Sequence, residues 1–281
     1  MDGSTGQRFA GPACHASRSR AGEPLSAKYE IDGDVAEIVI DHGALNLWDP
    51  DLIADVEDGV ARAAAERPRA LLVRAEGDVF SAGVDVHVFE GLDAQSATAL
   101  TERLLRLTHA LEDLPLPTLA VVHGLCLTAG LELSLACDLM WAADGVQFGL
   151  VEKVVGITPL MGGTQRMAER AGTARAREFV MTGRLYDAQT LHAWGVVNRV
   201  VPPADLLEKS RKFAAELAAG PTVAHAATKA IVRAQAHHGT RGADDRTAEL
   251  TSHLFETEDC RNAVQSFLRE GPGKATFTGN L

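Results

Sequence analysis

LAVVHGLCLTAGLELSLACDLMWAADGVQFGLVEKVVGITPLMGGTQR, residues 119–166, is the stretch on which the fold turns. Leu119 to Val122 is an apolar run of the length of one buried strand, and His123-Gly124 ends it. After a short connector, Thr128-Ala129-Gly130 leads into Leu131, Leu133, Leu135, Ala136 and Leu139, which are spaced as on a helix. Thr128 is placed to cap that helix. The N–H groups of Ala129 and its neighbours then leave the helix start without intrahelical partners. Such a place suits an anion or a polarised carbonyl oxygen. Glu132 falls in the first turn, and Glu152 falls in an irregular segment after Gln147-Phe148-Gly149. Two carboxylates beside free N–H donors form a candidate acid–base site, although each alone reads first as a solvated or capping residue.

Working upstream, Lys28–Ile31 and Val35–Ile40 flank Asp32-Gly33-Asp34, a hairpin signature. Asp49-Pro50 starts a helix whose apolar positions include Leu52, Ile53, Val56 and Val60. Arg69–Arg74 reads as a buried strand, and 94–113 as a long amphipathic helix that Leu114-Pro115-Leu116-Pro117 breaks. This alternation of strand and helix implies parallel strands with right-handed crossovers. Downstream of Gly163 the pattern turns helical: 163–171, 174–182 and 187–194, a short strand at Val196–Val201, then helices near 204–219, 221–237, 242–256 and 258–269.

Composition narrows the function. The chain has 281 residues, 46% of them hydrophobic, enough for one large domain or one with a small appendage. The net charge of −11, with no dense Lys/Arg block, argues against sequence-general nucleic-acid binding. Cys14, Cys126, Cys137 and Cys260 form no C-x-x-C and read as reduced thiols of a cytoplasmic protein, three of them in the core. No apolar run reaches membrane-spanning length. Residues 1–26 lack the apolar segment of a secretory signal and read as a flexible tail. The histidines show no metal spacing, so no metal site is expected. Ser81 lacks the G-x-S-x-G of a nucleophile elbow, His123 reads as a strand-end residue, Asp138 as an internal cap or pair, and Trp48 as core or pocket wall. Gly162-Gly163 lacks the P-loop Lys-Ser/Thr and reads as a turn into a helix.

From about residue 28 to the C-terminus the chain resembles the crotonase family, the enoyl-CoA hydratase/isomerase superfamily. The resemblance rests on motifs in register: Ala44-Leu45-Asn46, Phe80-Ser81-Ala82-Gly83-Val84-Asp85, Gly124 through Glu132-Leu133, Cys137-Asp138-Leu139, Gln147-Phe148-Gly149, Gly162-Gly163-Thr164-Gln165-Arg166, Thr182-Gly183-Arg184, Gly195-Val196-Val197 and Lys274-Ala275-Thr276-Phe277. It implies an α/β fold, a repeated ββα spiral core over 27–202, followed by a helical C-terminal trimerisation region over 203–281. It also implies a homotrimer or hexamer, an acyl-CoA thioester substrate from fatty-acid metabolism, and no cofactor beyond that CoA. Its oxyanion hole, two backbone N–H groups on the thioester carbonyl, falls on Val84 and Ala129. The catalytic pair falls on Glu132 and Glu152, which in hydratases hold a water, one taking its proton and the other protonating Cα. CoA contacts fall on Ala44, Ala82, Asp85, Val86, Lys274 and Phe277. The family's isomerases commonly keep a carboxylate only at the Glu152 position, so both glutamates favour an enoyl-CoA hydratase. An isomerase, lyase or thioesterase of this family, or a non-catalytic relative, is the alternative.

Three departures stand out. Thr128-Ala129-Gly130 replaces the hydratases' glycine triplet and adds a methyl beside the oxyanion site. Gly43 and His87 replace basic residues that help hold CoA phosphates, which shifts the load to others such as Lys274. Leu150-Val151 replaces a common Gln-Pro before the second glutamate.

Overall fold

Residues 26–279 are described in the computed structural model, so the expected N-terminal tail (Ser26 apart) and Cys14 lie outside the described residues. Asp32-Gly33-Asp34 turns the chain as its composition demands. β1 (Ala27–Asp32) runs antiparallel to β2 (Val35–Ile40), with Asp32 opposite Val35. α1 (Pro50–Glu66) starts where Asp49 accepts the N–H groups of Asp51 and Leu52, and it buries Leu52, Ile53, Val56 and Val60. β3 (Ala70–Ala75) is buried at every position, as a strand covered on both faces must be. α2 (Ala94–Glu112) ends before the Pro-rich break, and β4 (Thr118–Val122) follows.

The next elements are β5 (Leu125–Leu127), α3 (Thr128–Ala136), β6 (Leu139–Ala143), β7 (Gln147–Gly149) and α4 (Gly163–Ala171). α5 (Thr173–Thr182), β8 (Tyr186–Asp187), α6 (Ala188–Ala193), β9 (Arg199–Val201) and α7 (Leu206–Ala218) lead to the C-terminal helices α8 (Thr222–Thr251) and α9 (Glu258–Glu270). Gly239, at φ 70° and ψ 174°, breaks α8 where two separate helices were expected.

Two sheets result. The larger has the order β1-β2-β3-β4-β6-β9, parallel except for the β1–β2 pair; the smaller has the order β5-β7-β8. Two consecutive units, β4–β5–α3 and β6–β7–α4, each place one strand in the large sheet, one in the small sheet and then a helix. This is the ββα repeat that the resemblance implies, followed by a helical C-terminal region.

The helix expected to reach Leu139 ends at Ala136 instead. Cys137 is extended, and Asp138 ties the chain to the start of β4: its Oδ2 accepts the Thr118 N–H at 2.8 Å and the Thr118 hydroxyl at 2.9 Å. Leu139 therefore opens β6, an apolar run hidden behind the helical spacing. Lys229 Nζ on α8 also reaches Asp138 Oδ2, at 2.8 Å, so Asp138 pairs internally as expected. Cys126 and Cys137 are buried, whereas Cys260 is only half-buried. Among the described residues no helix is long and apolar enough to cross a membrane.

Candidate active site

Three chain segments leave the small sheet side by side, and each delivers part of the site. Ser81 forms a parallel bridge with Cys126: the Ser81 N–H donates to Leu125 O at 3.1 Å, and the Leu127 N–H donates to Ser81 O at 2.9 Å. β5 pairs in parallel with β7, which sets Leu127 opposite Gly149. Residues 82–84, 128–132 and 150–152 thus continue from a residue bridged to β5, from β5 and from β7, side by side. All follow the C-terminal ends of strands of the large sheet, where open α/β folds present ligand sites.

The first segment offers the Val84 N–H. The Gly83 carbonyl accepts the Trp48 N–H at 2.8 Å, so the N–H across that trans peptide points the other way and donates to no backbone oxygen among the described residues. Ser81 Oγ donates to Asn46 O at 2.9 Å and accepts the Gly83 N–H at 3.1 Å, which makes it a brace for this turn rather than a nucleophile. The second segment offers the Ala129 N–H at the start of α3, likewise without a backbone acceptor. A Cβ on Gly130 would meet Ser81 Cβ at 2.6 Å, so a glycine is what lets α3 begin this close to the first segment.

The expectation that Thr128 caps α3 does not hold. The N-cap position is Leu127, with no side-chain cap bond, and Thr128 itself is helical residue one, at φ 43°. That left-handed backbone costs a non-glycine residue about 1–2 kcal/mol. The Thr128 hydroxyl is buried without a hydrogen-bond partner among the described residues, a further cost of about 1–3 kcal/mol. Ala129 is buried in the hydrophobic core.

The carboxylates meet deep in the protein. Glu132 is 2% exposed, and its Oε1 accepts the N–H groups of Met161 (2.9 Å) and Gly163 (2.8 Å). Glu152, 8% exposed, opens a 3-10 turn (Glu152–Val155), and neither of its carboxyl oxygens has a protein partner among the described residues. Burial pushes the Glu132 carboxyl up to about 8, and the nearby Glu152 carboxylate adds to the rise. Burial pushes Glu152 up to about 7. Near neutral pH the pair therefore holds about one proton, so one member can accept a proton while the other gives one.

The clamp on Glu132 was not legible as such. Gly162-Gly163 is the expected turn into a helix, but Gly163 does more: a Cβ there would come 2.7 Å from Glu132 Cγ. Arg166 holds the same turn from the other side, donating to Met161 O (3.1 Å) and forking onto Glu112 of α2 (2.7 and 2.5 Å). The signal was present in Gly162-Gly163-Thr164-Gln165-Arg166, yet nothing in that string says which side chain the turn holds.

The predicted CoA contacts divide into two groups. Ala44, Ala82, Asp85 and Val86 share one rim with Val84, joined by the Ala82 N–H to Leu45 O at 2.9 Å. On that rim Asp85 Oδ1 accepts the His87 N–H (3.1 Å), and exposed His87 pairs with the same oxygen through Nδ1 (2.6 Å). Phe277 is held at the other end of the sheet within its own chain. Arg69 Nη1 donates to Phe277 O at 3.0 Å, and Arg69 precedes β3, at the end of the sheet away from the site. A six-residue strand separates the two ends by roughly 17 Å. His123 Nε2 contacts Gly77 O at 2.8 Å, the strand-end role expected of it. Among the described residues no cluster of His, Cys, Asp or Glu could hold a metal ion.

Comparison with known proteins agrees with this architecture. The sequence profile of the enoyl-CoA hydratase/isomerase family matches residues 30–280. A crotonyl-CoA hydratase of Syntrophomonas wolfei is 31% identical over 244 residues, which cover 83% of this chain and 90% of that protein. An enoyl-CoA isomerase/hydratase of Mycosarcoma maydis is 34% identical over 214 residues, covering 75% of this chain and 77% of its own. The crystal structure of an enoyl-CoA hydratase from Bacillus anthracis superposes with a TM-score of 0.84 at 25% identity, over 91% of this chain and 100% of that one. Pseudomonas aeruginosa DspI superposes with a TM-score of 0.83 at 27% identity, over 90% and 98% of the two chains.

Proposed function

The chain belongs to the enoyl-CoA hydratase/isomerase family, and on that premise we propose that it is an enoyl-CoA hydratase, adding water across the 2,3 double bond of an enoyl-CoA thioester. The observation that carries this reading is the buried pair Glu132 and Glu152 at the edge of two segments with free N–H groups. The Val84 and Ala129 N–H groups bind the thioester oxygen, where negative charge develops as a nucleophile attacks Cβ. Such donors, fixed before the reaction and shielded from water, are each worth roughly 3 kcal/mol of barrier. The rim formed by Ala44, Ala82, Asp85 and Val86 is where the CoA moiety enters.

The two carboxyls do the proton work. The ionised member takes a proton from water as the water oxygen bonds to Cβ. The protonated member gives its proton to Cα as the enolate collapses, so the pair begins and ends with one proton. Glu132 is held in place through Oε1, which leaves its other oxygen for the water. Glu152, with two unpartnered oxygens, is free to face both water and Cα. An isomerase moves a proton between carbons and needs a single carboxylate; a second one, buried and clamped at 2% exposure, supports hydration.

The test is to follow the loss of the conjugated enoyl-thioester absorbance with crotonyl-CoA and longer enoyl-CoAs, and to identify the product. A 3-hydroxyacyl-CoA is expected. A shifted double bond without hydration overturns the hydratase assignment, and the absence of any acyl-CoA binding overturns the reading altogether.

A further inference from the structure

Thr128 stands between the two peptide units that supply the proposed oxyanion donors. Its own carbonyl carbon is bonded to the Ala129 nitrogen. Its hydroxyl lies over the α-carbon of Gly83, whose carbonyl carbon is bonded to the Val84 nitrogen: a methyl built on Gly83 would meet Thr128 Oγ1 at 2.2 Å. Only glycine at 83 lets the hydroxyl stand there. Thr128 is 7% exposed, and Oγ1 is shielded from solvent without a hydrogen-bond partner among the described residues. Its backbone, at φ 43°, is one that glycine adopts freely and a β-branched residue does not. The fold thus loses stability twice at this position, through the strained backbone and through the unsatisfied hydroxyl, and the side chain returns nothing as a helix cap. The hydroxyl is a buried donor with no acceptor among the described residues, and it lies beside the peptide units of the two proposed oxyanion donors.

Resting on the enoyl-CoA reading above, we propose that the Thr128 hydroxyl is a third donor to the thioester oxygen of the bound acyl-CoA. A ground-state carbonyl oxygen presents two lone pairs, which the two backbone N–H groups already use. The enolate oxygen carries more charge and accepts a third bond. The extra bond therefore strengthens toward the transition state and acts on kcat more than on KM. The hydroxyl keeps its proton throughout.

The experiment compares Thr128→Gly and Thr128→Ser with the wild type for kcat and KM on crotonyl-CoA. It also compares the carbonyl stretch of the bound thioester by difference Raman spectroscopy, in a Glu152→Gln background where turnover is slow. Thr128→Gly is expected to raise Tm by releasing the strained backbone, to lower kcat by ~10²-fold, and to reduce the downshift of the carbonyl stretch. Thr128→Ser, which keeps the hydroxyl, is expected to stay within about threefold of wild-type kcat. A Thr128→Gly variant that keeps wild-type kcat and the full carbonyl shift overturns the third donor and leaves the hydratase reading standing. Lower kcat with an unchanged carbonyl shift also overturns it, because the residue then acts by packing. A wild-type protein that neither binds nor hydrates any enoyl-CoA overturns the underlying reading, and the proposal with it.

Discussion

Burial holds the carboxyls of Glu132 and Glu152 at about 8 and about 7, well above the ordinary value of 4.5, so each takes up protons more readily in the folded state than in the unfolded chain. The sign of the pH dependence follows. Below 4.5 both groups are protonated in either state and cost nothing. Above 4.5 the unfolded chain ionises while the folded protein still holds its protons, so stability falls until the folded groups ionise too, near 7 and 8, and then levels off. Glu152→Gln removes that penalty. Its Tm is expected to match the wild type near pH 4 and to exceed it by a margin that grows up to about pH 7 and then holds, equivalent to on the order of 3 kcal/mol. The same substitution, like Glu132→Gln, is expected to lower kcat by ~10²–10⁴-fold with little change in KM, because each carboxyl acts on protons in the transition state. Thermal melts across pH together with steady-state kinetics check both; near wild-type turnover in either variant would remove that residue from the mechanism. Gly163→Ala tests the clamp. The added methyl would press on Glu132 Cγ at 2.7 Å, so kcat is expected to fall by about tenfold or more in a protein that still folds.

At the scale of elements, the site depends on how closely α3 starts to the segment carrying Val84. Gly130 sets that approach. Alanine there would gain about 1 kcal/mol of helix propensity, yet its Cβ would meet Ser81 Cβ at 2.6 Å. The clash is expected to win: Gly130→Ala should lose about 1–3 kcal/mol of stability net and, by moving α3 away from residues 81–84, lower kcat more than tenfold. A melt and a kcat measurement decide it, and a more stable, fully active variant would show that the two segments tolerate separation. The turn at 161–163 behaves similarly. It is held by Arg166, which links it to Glu112 at the end of α2, so helices distant in sequence fix the orientation of Glu132.

For the whole molecule, the C-terminal helices expose more apolar surface than a finished monomer needs. Phe255 is 74% exposed, Phe267 58% and Leu268 78%. Large exposed apolar patches mark contact surfaces, the family resemblance points to a homotrimer or a hexamer, and we propose that these residues lie in its interface. Light scattering is expected to give three or six times the chain mass, and Phe267→Asp combined with Leu268→Glu is expected to shift the protein toward monomer. A wild-type monomer at micromolar concentration would refute this.

What the sequence by itself determined is what local chemistry controls. Asp32-Gly33-Asp34 made a hairpin, Asp49-Pro50 capped and started α1, the Pro-rich break closed α2, and the order of motifs identified the ββα repeat. It also supplied both glutamates. It misplaced the end of α3, because the apolar spacing through Leu139 suits a helix and a buried strand alike until Asp138 is seen bonded to Thr118. It misread Thr128, since threonine before a helix is ordinarily a cap and only the backbone reveals φ 43°. It also assigned to the rim Phe277, which its own chain holds beside Arg69 instead. The tertiary structure alone decided that the segments carrying residues 84, 129, 132 and 152 run side by side. That proximity comes from the pairing of three short strands, Ser81 beside Cys126 and Leu127 beside Gly149, and the hydrogen bonds between them join positions that no local periodicity connects.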